Sequence, residues 1–275
     1  CLDKRIWNIF WVLALWGVVQ WLALSALNQW LAPERDLSNA SNAAYADSTG
    51  EFLHGMITAS TSLWYLYALI VYFVVCKIFS RLALPLFALF VLLSVAVNFV
   101  PTPWWGMNSV IRNLPYYSLG AWFGATLMTC VKEVPLRHLL MASLLTVLAV
   151  GAWLFTISLL LSLVSIVVIM KLFYQYEQRF GMRSTSLLNV IGSNTIAIYT
   201  THRILVEIFS LTLLAQMNAA RWSPQVELTL LLVYPFVSLF ICTVAGLLVR
   251  KLSQRAFSDL LFSPPSLPAA VSYSR

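Results

Sequence analysis

The chain alternates between long apolar runs and short polar connections in which most of the charged residues lie. A run of about 20 apolar residues can cross the hydrocarbon core of a bilayer as a helix, since that core is about 30 Å thick. The pattern therefore predicts an all-α fold, a polytopic helical membrane bundle. Its eight transmembrane helices are predicted at residues 6–27, 62–79, 82–100, 113–130, 139–155, 157–174, 191–213 and 227–249.

The fifth and sixth predicted helices come from one almost continuous apolar stretch, residues 139–174. A single helix over this stretch would be about 54 Å long at 1.5 Å per residue, which is far more than a bilayer core needs. We therefore expect two helices that are joined by a tight tip near residues 151–156.

The distribution of basic residues predicts how the helices are threaded. With eight spans, thirteen of the 17 Lys and Arg residues fall on one side of the membrane, and the other side receives Arg35, Arg112, Arg203 and Arg221. Basic residues favour the cytoplasmic side, so both termini are predicted to be cytoplasmic and the loop at residues 28–61 to lie outside. Only 10% of the residues are charged, against about 25% in soluble domains. The net charge of +7 is explained by the Lys and Arg residues that determine topology. No nucleic acid is expected as a partner.

The seventh predicted span carries an unusual set of polar residues. At helical spacing Thr195, Tyr199, His202 and Arg203 share one face, and Glu207 follows Arg203 at i+4. A charge at the centre of a membrane helix costs about 2.5–3.5 kcal/mol on insertion scales, so these residues need partners. Two interpretations stay open: a polar cavity in which His202 accepts or donates a proton, or an Arg203–Glu207 pair with His202 joining two helices.

Other candidate residues lie at the ends of predicted spans. Arg112 at the outer end of the fourth span either binds an anionic group or extends its charge to the interface. Lys4 and Arg5 either bind phosphates or act only as topology determinants. The chain has no Walker A loop, HExxH, GxSxG or dinucleotide-binding motif, so the corresponding ATPases, proteases, hydrolases and dehydrogenases are not supported. No metal site is expected.

Three segments resemble motifs of the membrane acyltransferase 3 family. They are an aromatic stretch at residues 62–69 (SLWYLYAL), residues 114–124 (LPYYSLGAWFG) and residues 191–202 (IGSNTIAIYTTH). The resemblance implies a bacterial inner-membrane protein that moves an acyl group, often acetyl, from a cytoplasmic donor such as acetyl-CoA to a hydroxyl of a sugar or glycan. The lipid bilayer, the acyl donor and the acceptor would then be its partners.

The resemblance also implies roles for individual residues. His202 matches the histidine of the late motif and is the first catalytic candidate, together with Glu207 and Arg203 beside it. Lys4 and Arg5 match a basic motif near the donor phosphates. The remaining candidates, which would bind the substrate, are Arg112, Asn113, Trp64 and Tyr199.

The chain departs from the family pattern at its start. Family members typically have ten spans, and their strongest signature is a basic residue about ten positions before a histidine in the first span, which this chain lacks. We expect residues 1–255 to be an acyltransferase domain that lacks an N-terminal hairpin of roughly 50–80 residues, and therefore to be inactive alone. Residues 256–275 are predicted to be a cytoplasmic tail.

The alternative function is that of a secondary transporter or permease for a small polar solute. Such proteins often use helices that Gly or Pro interrupts at the midplane. This chain has 10 Gly residues, about half the usual share, which favours the transferase. The oligomeric state stays open.

Overall fold

The computed structural model of the chain describes residues 2–35, 37, 42–150, 158–181, 186–214 and 223–265. Every regular element in these residues is helical, so the predicted all-α fold is confirmed for this part of the chain. The α-helices are α1 (Leu2–Leu31), α2 (Thr49–Ile57), α3 (Trp64–Ile78), α4 (Ala83–Ala96), α5 (Trp105–Glu133), α6 (Leu136–Val150), α7 (Ser158–Phe180), α8 (Leu187–Ser193), α9 (Thr195–Phe209) and α10 (Pro224–Ala256). Shorter helical turns lie at Ala43–Tyr45, Ser80–Leu82 and Ser210–Leu214.

Within the described residues each predicted span overlaps helical structure, but the helices are less regular than the apolar runs suggested. The seventh span is divided at Asn194, where α8 ends and α9 begins. The predicted outer loop contains α2 and a 3₁₀ turn at Ala43–Tyr45. The predicted tip at residues 151–156 lies outside the described residues.

Two helices of the described residues are long and apolar enough to cross a membrane, Lys4–Leu31 and Leu228–Ala256. A third candidate arises if α3 and α4 form one span, although the chain bends by 79° between them. Taken singly, α3 has 15 residues and α4 has 14. Such helices are about 21–23 Å long, which is shorter than a bilayer core of about 30 Å. The count of eight spans therefore stays a prediction.

The helices group into two compact units. Unit 1 is Cys1–Ile70 with Val190–Arg275, and unit 2 is Val71–Asn189. The divisions fall inside α3 and α8. Of the candidate residues, Arg112 and Asn113 belong to unit 2 and all the others to unit 1.

The core of unit 1 forms around the first half of α1. Val12 and Trp16 are buried on one face of this helix, where they meet Leu66 of α3, Ala197 of α9 and Phe262. The rings of Trp16 and Phe262 stack with their centroids 5.5 Å apart. The burial of these large apolar side chains is the main source of stability at this end of the unit.

The close contact between α9 and α10 requires a glycine. A Cβ atom at Gly246 of α10 would lie 2.6 Å from the Cα of Ile198 in α9, which is closer than any real carbon–carbon contact. The two backbones can approach this closely only because Gly246 has no side chain.

The residues after α10 return to α1 instead of leaving the domain. Trp11 donates its indole N–H to the carbonyl of Leu260 at 2.8 Å, and Trp16 donates to the carbonyl of Leu261 at 2.9 Å. The first part of the predicted tail is therefore docked, because it buries Phe262 and satisfies two indole donors. Residues 266–275 lie outside the described part of the chain.

In unit 2, side chains of neighbouring helices bind backbone carbonyls of α5. Pro115 lies inside this helix and has no N–H to donate. Ser94 of α4 donates to the carbonyl of Arg112 at 2.8 Å, near this interruption. Lys171 of α7, which is buried, donates to the carbonyl of Lys132 in the last turn of α5 at 3.0 Å. A cation at a helix C-terminus is stabilised by the helix dipole.

Candidate functional site

A buried carboxylate, Glu207 of α9, is the centre of the largest group of charged contacts in the described residues. The residue is 2% exposed. Its Oε1 accepts from Nη1 of Arg35 at 2.6 Å. Its Oε2 accepts from the hydroxyl of Tyr45 at 2.6 Å and lies 3.2 Å from Nη2 of Arg203, one helical turn earlier. Both oxygens are thus engaged, and we call these four residues the Glu207 network.

Two parts of the fold place the loop residues of this network. The loop between α1 and α2 folds back on α1, where Trp21 donates its indole N–H to the carbonyl of Ala46 at 2.8 Å. This hydrogen bond fixes the neighbouring Tyr45. Asn28 of α1 accepts from Nη1 of Arg35 at 3.2 Å, so the guanidinium of Arg35 is held between α1 and α9.

The ring of Tyr45 lies between two guanidinium groups. The Cζ atoms of Arg35 and Arg203 are 5.7 and 5.6 Å from the centroid of the ring, a distance at which cations and aromatic faces attract each other. Arg203 also donates to the hydroxyl of Tyr45. Burial and the hydrogen bond to Glu207 raise the pKa of Tyr45 to about 12, so the phenol stays protonated and donates to Glu207 at physiological pH.

Sequence reasoning found only half of the Glu207 network. The i+4 spacing predicted the pair of Arg203 and Glu207, and the structure contains it. Arg35 and Tyr45 were missed as partners. The available signal was that Arg35 is the single basic residue of an otherwise acidic loop, since a buried carboxylate requires a cation.

His202 lies outside the Glu207 network and has separate contacts. Its Nδ1 meets the backbone carbonyl of Tyr199, and the two rings stack with centroids 5.4 Å apart. A carbonyl can only accept, so Nδ1 carries the proton and Nε2 is the acceptor of the neutral ring. No hydrogen bond or ion pair within the described residues joins His202 to Glu207.

Tyr199 and Trp64, two of the predicted substrate-binding residues, lie close to the start of α3. The hydroxyl of Tyr199 donates to the carbonyl of Ser62 at 2.7 Å and accepts from the backbone N–H of Tyr65 at 3.3 Å. Trp64 is half-buried and meets Tyr65 edge to face, with centroids 6.1 Å apart. Tyr199 therefore joins α9 to α3 beside His202.

Four other predicted site residues are not part of these clusters. Lys4 and Arg5 are exposed in the first turns of α1. Arg112 is exposed on α5, and Asn113 donates to the carbonyl of Ser109 in its own helix at 2.8 Å. Their binding roles stay predictions.

Gln20 is a polar residue of the unit 1 core that the sequence did not single out. It is 1% exposed and donates to the carbonyl of Thr200 in α9 at 2.9 Å. Its Oε1 is buried and has no partner among the described residues. Gln20 therefore joins α1 to α9 two residues before His202.

A cavity of about 590 Å³ adjoins the Glu207 network within unit 1. Arg35 and Tyr45 form part of its wall, and the last third of α1 forms another part. Its size falls within the range of small-molecule sites, which is about 300–1,000 Å³. The other polar residues that line it are Ser25, Asn28, Gln29 and Asp47.

Comparisons with known proteins identify the family. A family model described as an acyltransferase domain matches residues 1–250. The chain is 99% identical over 276 residues to a protein named "Inner membrane protein YcfT" from Escherichia coli (strain K12), in an alignment that covers 100% of this chain and 77% of that relative. No solved structure matches this chain significantly. Because the family match covers most of its length, the chain belongs to the acyltransferase 3 family.

Proposed function

We propose that the protein is an acyltransferase of the bacterial inner membrane. It transfers an acyl group, most simply acetyl, from a cytoplasmic acyl-CoA-type donor to a hydroxyl of a sugar or glycan. The observation that carries the proposal is the acyltransferase family match over residues 1–250. The name of the E. coli relative, an inner membrane protein, supports the location.

The contact of His202 with a backbone carbonyl supports an acid–base role for its ring. Its Nδ1–H is committed to the carbonyl of Tyr199, which leaves Nε2 as the proton acceptor. In the proposed reaction Nε2 takes the proton of the acceptor hydroxyl while the oxygen attacks the thioester carbonyl. The carbon–sulfur bond then breaks, and the same proton passes to the leaving thiolate.

Glu207 and Arg203 have an electrostatic role in the proposal. Both carboxylate oxygens of Glu207 already accept hydrogen bonds from Arg35 and Tyr45, so Glu207 orders the region and transfers no proton. Lys4 and Arg5 are exposed at the start of α1, where they are available to the donor phosphates. Arg112, Asn113, Trp64 and Tyr199 are proposed to bind the substrate.

The test is acyl transfer in membrane vesicles that carry the full-length E. coli relative, of which this chain covers 77%. Radiolabelled acetyl-CoA is supplied on the cytoplasmic face, and free CoA thiol and labelled glycan are both measured. We expect His202→Ala to lower the rate by about 10²-fold or more, which is the usual contribution of general acid–base catalysis. His54→Ala, a matched change at an exposed histidine of α2, should leave the rate unchanged.

Two results would contradict the proposal in different ways. Full activity of His202→Ala would remove the histidine from the chemistry and leave it a structural role between α9 and α3. Uptake of a polar solute into the vesicles, without any release of CoA thiol, would instead favour the transporter.

A further inference from the structure

The cavity beside the Glu207 network is lined by groups of opposite charge. Arg35 and Asp47 both form part of its wall. Nη1 of Arg35 is anchored by Asn28 and Glu207, and the side chain is still 39% exposed. Gln29, which is exposed, adds an amide that can both donate and accept. A ligand that satisfies this wall carries both an anionic group and a cationic or hydroxyl-bearing group.

The position of the cavity along α1 places it where lipid headgroups lie. The residues of α1 from Lys4 to Leu31 can cross a membrane. At 1.5 Å per residue, about 20 residues beyond Lys4 span the bilayer core of about 30 Å. The cavity wall begins at Trp21 and continues to Ala32, so it lies at the far end of the crossing, in the headgroup region.

One wall of the cavity continues into an apolar surface. Leu22 lines the cavity and is itself 60% exposed. Val18, one turn earlier on α1, is also exposed. On a helix that crosses a membrane, exposed residues of this kind face lipid chains. A polar cavity and an apolar strip are thus joined on one helix, as the two parts of a phospholipid are joined.

We propose that this cavity binds the headgroup of a zwitterionic phospholipid. Arg35 binds the phosphate, because a guanidinium presents paired N–H donors to phosphate oxygens. Asp47 binds the ammonium group, and Gln29 binds an ester or phosphate oxygen. The acyl chains lie along Val18 and Leu22. This site is independent of acyl transfer, and binding to it is measurable without turnover.

The test compares four probes on the protein purified in detergent. They are dihexanoyl phosphatidylethanolamine, dihexanoyl phosphatidylglycerol, glycerophosphoethanolamine and inorganic phosphate, each titrated while the melting temperature is recorded. The first should bind about fivefold more tightly than the second, the scale of one exposed ion pair. Glycerophosphoethanolamine and inorganic phosphate should bind more weakly than either lipid.

A single variant tests the role of Asp47 without disturbing the Glu207 network. In Asp47→Asn the ethanolamine and glycerol lipids should bind with about equal affinity, because the ion pair with the ammonium group is lost. Glu34→Gln, a matched loss of charge at an exposed loop residue that does not line the cavity, should keep the preference. Gln29→Leu should weaken the binding of both lipids equally.

Three outcomes would overturn the proposal. Equal binding of the two lipids by the unchanged protein would exclude a zwitterion-specific site. Binding of glycerophosphoethanolamine or phosphate as tightly as the lipid would show a soluble ligand as the occupant. An unchanged preference in Asp47→Asn would place the ammonium elsewhere.

Discussion

Glu207 is the residue on which the attachment of the α1–α2 loop to α9 depends most directly. It is buried, and it accepts contacts from Arg35, Tyr45 and Arg203. Removing one partner from such a group lowers the free energy of unfolding by more than the intact group contributes to it. The remaining charges stay buried without a counter-charge. Two guanidinium groups would then face each other across Tyr45 with no anion between them.

We expect Glu207→Gln to lower the free energy of unfolding by about 2–3 kcal/mol. This loss is smaller than the roughly 3–5 kcal/mol typical of a broken buried ion pair, because Arg35 is partly exposed and screened by solvent. Denaturant or thermal unfolding in detergent measures the change. Glu177→Gln, at an exposed position of α7, is the control and should change stability by less than about 0.5 kcal/mol. A loss below that figure for Glu207→Gln would contradict the role assigned to the network.

The same network shows what a sequence can predict about single residues. Arg203 and Glu207 are one helical turn apart, so helical spacing alone predicts their contact. Arg35 and Tyr45 are 172 and 162 residues from Glu207. Their partnership depends on how the loop folds back on α1, which no local pattern records. The pairing of His202 with the carbonyl of Tyr199 is local, but its tautomer depends on the geometry of that contact.

At the scale of elements, apolar runs predicted the positions of the helices but not their interruptions. The division of the seventh span at Asn194 and the 79° bend between α3 and α4 occur inside or beside apolar sequence. A hydropathy pattern detects neither interruption, because a broken helix and a continuous helix can have the same composition. Sequence also missed α2, since a helix of 9 residues is too short to produce a clear apolar period.

The contact of α9 with α10 yields a prediction at this scale. Gly246→Ala places a methyl group against the backbone of Ile198, and a backbone atom cannot rotate away. The helices must separate, at a cost of about 1–3 kcal/mol, which thermal unfolding in detergent measures. Gly124→Ala in α5 is the matched control, since a Cβ there meets nothing within 4 Å. It should be neutral or slightly stabilising because alanine favours helices. Equal melting temperatures of the two variants would contradict the close contact between α9 and α10.

At the scale of the whole molecule, the ends of unit 1 differ in charge. Trp11 of α1 contacts Leu260, and Arg250 of α10 donates to the carbonyl of Ser193 at 3.0 Å. The start of α1, the end of α10 and the end of α8 therefore lie at one end of the unit. Basic residues cluster on the first two of these elements, and the positive-inside rule predicts that such an end is cytoplasmic. The Glu207 network lies at the opposite end.

Cysteine labelling in intact cells tests this orientation. In a background without the four native cysteines, Gly50→Cys and Gln254→Cys place single thiols at exposed positions of opposite ends of unit 1. A membrane-impermeant maleimide should label position 50 and should label position 254 only after the cells are opened. Labelling of position 254 in intact cells, with position 50 protected, would reverse the predicted topology.

The docking of the chain after α10 has a consequence for how this region changes in evolution. Trp11 binds the backbone carbonyl of Leu260, which every amino acid offers, and the side chain of Leu260 is 40% exposed. The side chain of Leu261, by contrast, packs against the core around Trp16. The docked turn also depends on backbone conformation, since Ser258 and Asp259 have positive φ. Only glycine and a few polar residues adopt this conformation readily. Substitutions at 260 should therefore accumulate freely among relatives, whereas position 261 should stay apolar.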